Sequence, residues 1–169
     1  VLDFKSLYPN IMRTFNIDPL SFIEDPSSSE DQKNLIKAPN GALFVNSDGI
    51  LPGLLDNLWK RRDIAKKNNN DLESFAIKIL MNSFFGALAS PNCRFFSLDM
   101  ANAITHFGQH FIKMVAKRLE DQGMEVIYGD TDSIFIDSKI DDIGIQSIRK
   151  ADKLGKKIEK DINDFLPVH

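Results

Sequence analysis

Tyr128-Gly129-Asp130-Thr131-Asp132-Ser133 is the stretch that decides how this chain is read. Two carboxylates stand two residues apart, and extended chain sends such residues to one face. Apolar, β-prone runs flank them, Val126-Ile127-Tyr128 and Ile134-Phe135-Ile136. The pattern predicts a hairpin, with strands over 125–128 and 133–137 and Gly129-Asp130-Thr131-Asp132 between them. Asp and Gly are ordinary turn residues, so a solvated turn is one reading. The other is a rigid platform between two buried strands, where close carboxylates need a cation or a proton between them. An EF-hand is excluded, because Ile134 and Phe135 occupy positions where that loop requires Asp or Asn and Gly.

A third carboxylate, Asp3, sits in the short β-prone run Val1-Leu2-Asp3-Phe4. Three carboxylates on neighbouring strands form a hard-oxygen ligand set of the kind Mg²⁺ takes together with substrate phosphates.

The second feature is basic. Between Trp59 and Lys67, five of nine residues are Lys or Arg and one is acidic. Arg62 and Lys66 are four apart and share a helix face. Lys78, Asn82 and Phe85/Gly86 repeat at helical spacing on a following segment. The pattern predicts one helix from Pro52, broken at Asn68-Asn69-Asn70, and a second from an N-cap at Asp71 to Phe85, stopping at Gly86. Packed antiparallel, the two would offer Arg62, Lys66 and Lys78 either as a solvated charged face or as a triphosphate clamp.

The remaining patterns are simpler. Pro9 is expected to open a short helix with Ile11, Met12 and Phe15 on its apolar side, ended by Asp18-Pro19. Residues 24–34 read as an exposed, mobile polar loop, and 42–45 as a strand followed by a hairpin-type turn over 46–49. Met100, Ile104, Phe107, Phe111, Met114, Val115 and Leu119 predict a long amphipathic helix ended by Gly123. Ile148, Ala151, Leu154, Ile158, Ile162 and Phe165 predict a final one.

Composition limits the class. The 169 residues are 43% hydrophobic and 27% charged, which excludes wholesale disorder, collagen and a disulfide scaffold. The single cysteine, Cys93, allows no intrachain disulfide and points to a reducing compartment. No apolar run approaches a membrane span, and no leader is expected at Val1, which reads as lying inside a strand of a longer protein. The net charge of −3 argues mildly against nucleic acid.

The clusters, in this order, resemble a family B DNA polymerase. Asp3-Phe4-Lys5-Ser6-Leu7-Tyr8-Pro9 is similar to the family's motif A, D-x-x-S-L-Y-P. Lys78-x-x-x-Asn82-Ser83-x-Phe85-Gly86 is similar to motif B, and Tyr128-Gly129-Asp130-Thr131-Asp132-Ser133 to motif C. Pro52, Leu55, Leu58, Arg62 and Lys66 resemble the first fingers helix, and residues 1–19 and 93–96 look most like bacterial members. Asn10 and Phe85 depart from the pattern, which has Ser and Tyr there.

The resemblance implies an α+β fold: a polymerase palm, an antiparallel sheet flanked by helices, with an inserted antiparallel two-helix fingers hairpin. Residues 1–49 would be the first palm segment, 50–86 the fingers and 87–169 the second palm segment, with exonuclease, N-terminal and thumb domains lying elsewhere. It implies templated addition of deoxynucleotides to a primer 3′-OH, with two Mg²⁺ ions, which Mn²⁺ can replace. Asp3, Asp130 and Asp132 would be catalytic. Asp3 and Asp132 would bridge the ions, with the Phe4 carbonyl and Asp130 as further ligands. Ser6, Leu7, Tyr8, Arg62, Lys66, Lys78 and Asn82 would bind the nucleotide, Tyr8 as sugar gate. Ser83, Phe85, Gly86, Tyr128, Gly129 and Thr131 would border the nascent pair and the primer. Implied partners are primer-template DNA, deoxynucleoside triphosphates and a sliding clamp reached through other regions, in a bacterial cytoplasm near the nucleoid and with no membrane. The isolated chain is expected to be weakly active or inactive. Two other readings stand beside this one: a polymerase-like module that binds nucleic acid without catalysis, and an RNA-making two-metal nucleotidyltransferase.

Overall fold

The computed structural model describes residues 1–24, 34–47, 49–140 and 144–166. The chain forms two compact units, Ser6–Gly108, and Val1–Lys5 with Gln109–His169.

In the first unit, helix α1 (Leu7–Thr14) buries Leu7, Ile11 and Met12. It ends earlier than the Asp18-Pro19 signal suggests. Asn16 takes the left-handed conformation (φ 49°), and the Ile17 amide bonds back to the Met12 carbonyl 2.9 Å away. That is the long bond of a Schellman cap, with Asn in the place glycine usually fills. Strands β2 (Phe22–Ile23), β3 (Leu35–Lys37) and β4 (Leu43–Val45) form a small antiparallel sheet in the order β2-β4-β3. Of these, only β4 is expected from the sequence. Two- and three-residue strands are too short for a period-2 signal. Most of the expected 24–34 loop lies outside the described residues, as does Asp48 in the expected turn. After Asp48 the chain enters a helix rather than a hairpin partner.

Helix α2 (Ile50–Lys67) buries Leu55, Leu58 and Ala65. Three asparagines link it to α3 (Asp71–Ala89), and so short a connection makes the two packed helices antiparallel neighbours. The N-cap of α3 is Asn70, not Asp71: the Asn70 side chain accepts from the Glu73 amide at 3.2 Å. The helix also passes through Gly86, because Leu88 is buried, and stops at Ser90, before Pro91. By length and composition alone α3 could cross a membrane, with a mean hydropathy of 1.3. Its Ser74, Ile77, Met81 and Leu88 are nevertheless buried in the unit, and Lys78 sits mid-helix.

The second unit holds helix α5 (Ile145–Phe165) and strands β1 (Leu2–Asp3), β5 (Glu125–Asp130) and β6 (Ser133–Asp137), paired antiparallel in the order β1-β6-β5. Helix α4 (Leu98–Asp121) contributes its last part, and Gly123 (φ 78°) follows its end. Val115 and Leu119 of α4, Ile134 of β6, and Ile158 and Ile162 of α5 form the core. Arg118 reinforces the helix pair through two 3.0 Å bonds to Asp161 and stacks 4.2 Å from the Phe165 ring.

Among the described residues only one face of this sheet is covered, so β5 and β6 are not two buried strands. Ile134 is 1% exposed, whereas Ile127 is 66% and Tyr128 58% exposed.

Candidate active site

Pairing register, not alternation along one strand, sets the carboxylates. The chain reverses at Thr131-Asp132, so the rule that residues i and i+2 share a face does not hold from Asp130 to Asp132. Instead Asp3 lies opposite Ser133, and Ser133 opposite Asp130. Directly opposed residues share a face, so these three form one row across the sheet. Leu2, Ile134 and Gly129 form the next row, turned to the core. An added Cβ on Gly129 would meet Ile112 at 3.7 Å.

A β-bulge makes this row possible. The register shifts between Val126 and Tyr128, leaving Ile127 as the extra residue. Plain alternation from inward-facing Val126 would turn Asp130 toward the core. The extra residue inverts the sense, since a one-residue slip flips every later side chain. Tyr128 and Phe135 then meet on the open face, with ring centroids 5.8 Å apart.

Ser133 Oγ lies 3.1 Å from Asp3 Oδ1 and 3.4 Å from Asp132 Oδ1. A hydroxyl carries one proton, so it can donate to only one of them at a time. Asp130 Oδ1 instead accepts from Thr131 Oγ1 at 3.0 Å. Thr131 has φ 43°, an outlier for a β-branched residue. The Phe4 amide donates to the Asp132 carbonyl at 2.7 Å and ties β1 to the turn. Among the described residues no three His, Cys, Asp or Glu side chains are close enough to hold one ion together. The structure thus joins Asp3 and Asp132 through Ser133 and leaves the Asp130 carboxylate to Thr131. Two carboxylates suit Mg²⁺, which needs only one or two when waters and phosphates complete its shell. A groove of about 910 Å³ between β1 and α5 has Asp3 among its lining residues, but neither Asp130 nor Asp132 lines it.

In the first unit, Ser6 precedes α1 in the left-handed conformation (φ 50°), and its hydroxyl accepts from Arg62 Nη1 at 3.4 Å. Arg62 Nε is buried without a hydrogen-bond partner among the described residues. A buried donor left unmade costs about 1–3 kcal/mol. Leu7 and Tyr8 lie in the first turn of α1, where amides point out of the helix end. Lys66 and Lys78 are exposed and make no ion pair among the described residues. Asn82, Ser83 and Gly86 are exposed on α3. The Tyr8 ring stands 4.7 Å from that of Phe85.

Sequence reasoning did not single out Gly108 as a site residue, nor the hydroxyl of Ser133. Gly108 allows α4 to pass α1: a Cβ there would lie 3.4 Å from Leu7 and 3.5 Å from Tyr8. A lone glycine in a helical pattern is the only signal it left.

The fold and these motifs define a class. The sequence profile of DNA polymerase family B matches residues 1–168, and the chain belongs to that family. It is 39% identical over 96% of its length to DNA polymerase II of Escherichia coli, of which it covers 20%. It is 31% identical over 97% of its length to the DNA polymerase alpha catalytic subunit of Dictyostelium discoideum, covering 11% of that protein. The family B DNA polymerase of Pyrobaculum calidifontis superposes with a TM-score of 0.70 at 25% identity, over 92% of this chain and 21% of that one. The chain thus spans about a fifth or less of these relatives.

Proposed function

We propose that this chain carries the catalytic core of a DNA-directed DNA polymerase, its palm and fingers, and adds deoxynucleotides to a primer 3′-OH. Residues 1–49 and 87–169 are the palm in this reading, and 50–86 the fingers. The observation that carries it is the serine hydroxyl shared by Asp3 and Asp132, from two segments far apart in sequence. Two carboxylates gathered about one hydroxyl at the end of a sheet are unfavourable unless a cation or proton joins them.

In the mechanism we infer, Asp3 and Asp132 would hold two divalent ions, with the Phe4 carbonyl and Asp130 as further ligands. Bound there, Mg²⁺ or Mn²⁺ supplies Lewis-acid stabilisation of the attacking and leaving oxygens. Arg62, Lys66 and Lys78 neutralise the β- and γ-phosphates, and Arg62 Nε gains the acceptor it lacks. The helix start at Ser6 to Tyr8 adds amides suited to an anion. The Tyr8 ring occupies the place of a ribose 2′-OH and selects deoxynucleotides. Asn82, Ser83, Phe85 and Gly86 border the nascent base pair; Tyr128, Gly129 and Thr131 border the primer end. Template-primer DNA and deoxynucleoside triphosphates are the partners, with a sliding clamp bound elsewhere in the full-length protein, in a bacterial cytoplasm. Alone, the chain would bind DNA weakly, because affinity rests on many phosphate contacts and its net charge is −3.

Primer extension by the full-length protein, with deoxy- and ribonucleotides in parallel, tests this. Extension with deoxynucleotides alone is expected. No extension with either would point to a binding module, and a preference for ribonucleotides to an RNA-making enzyme.

A further inference from the structure

The start of α2 is held by two buried polar side chains that lie outside the site described above. Asn16 is 7% exposed and Asp18 1%. Asp18 Oδ2 accepts from the Leu51 amide at 2.6 Å and Oδ1 from the Leu20 amide at 2.7 Å. Asn16 Oδ1 accepts from the Gly49 amide at 3.1 Å, while its Nδ2 donates to the Val45 and Ser47 carbonyls. Ser21 Oγ closes the cluster against the Asn16 and Asp18 carbonyls. Gly49, the N-cap of α2, has no side chain to cap with, and none would fit. A Cβ there would lie 2.5 Å from Asn16 Oδ1 and 3.1 Å from Asp18 Cβ.

Asp18 therefore serves as a remote N-cap. It is a buried carboxylate whose charge faces the positive end of an 18-residue helix. A cap borrowed from another segment does what a local Ser or Asp could not: it fixes where the helix begins relative to α1. Arg62 lies 12 residues beyond Ile50, about 18 Å along the axis. A tilt of about 10° at the first turn would carry the guanidinium about 3 Å. Misplacement of about 1 Å can cost a reaction about a hundredfold.

We propose that Asn16 and Asp18 are positioning residues for nucleotide binding: they lock the first turn of α2 and so hold Arg62 and Lys66 where a triphosphate is met. This rests on the reading of Arg62 and Lys66 given above. Burial of Leu55 and Leu58 and the 3.1 Å Arg13–Asp56 pair hold the helix against its neighbours. Apolar packing tolerates sliding and tilt, whereas two amides on fixed acceptors do not.

The test compares Asp18→Ala, Asp18→Asn, Gly49→Ala and Arg62→Ala in the full-length protein. It reads deoxynucleotide Kd, primer-template Kd, thermal midpoint and amide exchange at Leu51. Asp18→Ala and Gly49→Ala are expected to weaken nucleotide binding about tenfold and to speed exchange at Leu51, with primer-template Kd within about twofold. Asp18→Asn, which keeps one acceptor oxygen, should fall between, and it carries the test if the alanine variant does not fold. If Arg62→Ala weakens nucleotide binding but the Asp18 and Gly49 variants lower only the thermal midpoint, the cluster is merely structural and the proposal is overturned. If Arg62→Ala leaves nucleotide Kd unchanged, the triphosphate reading fails and takes this one with it.

Discussion

Asp3 and Ser133 face each other across β1 and β6, with the serine hydroxyl 3.1 Å from Asp3 Oδ1. The same hydroxyl reaches Asp132 on the adjoining turn, so one neutral group sits between two negative ones. Two carboxylates held this close repel in the absence of a cation. Partial exposure lowers the cost, and a shared proton donor lowers it further. We read the arrangement as a site prepared for divalent ions that arrive with substrate.

The row of Asp3, Ser133 and Asp130 is predicted to survive loss of the bulged residue. Deleting Ile127 joins inward-facing Val126 directly to Tyr128, so Asp130 keeps its outward face opposite Ser133. In the full-length protein the deletion should leave primer extension standing. Loss of extension while circular dichroism still reports a folded chain would show that Ile127 itself, and not only the register it allows, is needed.

Tyr8 and Phe85 should act together on sugar selection. Tyr8→Ala is expected to raise ribonucleotide incorporation strongly. Phe85→Ala should raise it less, by about two- to tenfold, the scale of one aromatic pair at about 0.5–1.5 kcal/mol. Competitive incorporation of the two sugars measures both. An unchanged ratio for Tyr8→Ala would remove the gate role.

Acid should weaken the α4–α5 contact. Bonds from Arg118, and then Gln122, hold the Asp161 carboxyl below its ordinary 3.8. A depressed carboxylate stabilises the fold above its unfolded pKa, and that contribution is lost as pH falls through the folded value. Asp161→Asn should therefore lower the melting temperature at pH 7, by an amount that shrinks as pH falls below 3.8. A deficit that persists at low pH would mean that packing, not charge, was lost.

Much of the fold was legible in the sequence because its long helices and the β5–β6 hairpin rest on local spacing. Asp132 and Tyr8 sit in motifs whose spacing survives folding, and α4 and α5 announce themselves by period. Three kinds of feature were not legible. Strands β2 and β3 are too short to show a period. The row of Asp3, Ser133 and Asp130 depends on cross-strand register and on a bulge, neither of which a local pattern encodes. Asn16 and Asp18 look like ordinary turn residues; only burial reveals that they cap a helix starting over thirty positions later.

The most direct test of the metal-holding pair is Asp132→Asn in the full-length protein. The change keeps size and shape and removes one negative charge. Primer extension should fall by about a thousandfold or more, with primer-template affinity retained, because the proposed two-metal chemistry would lose one of the carboxylates that would hold its ions. Extension close to the unmodified rate would contradict the assignment of Asp3 and Asp132 as that pair.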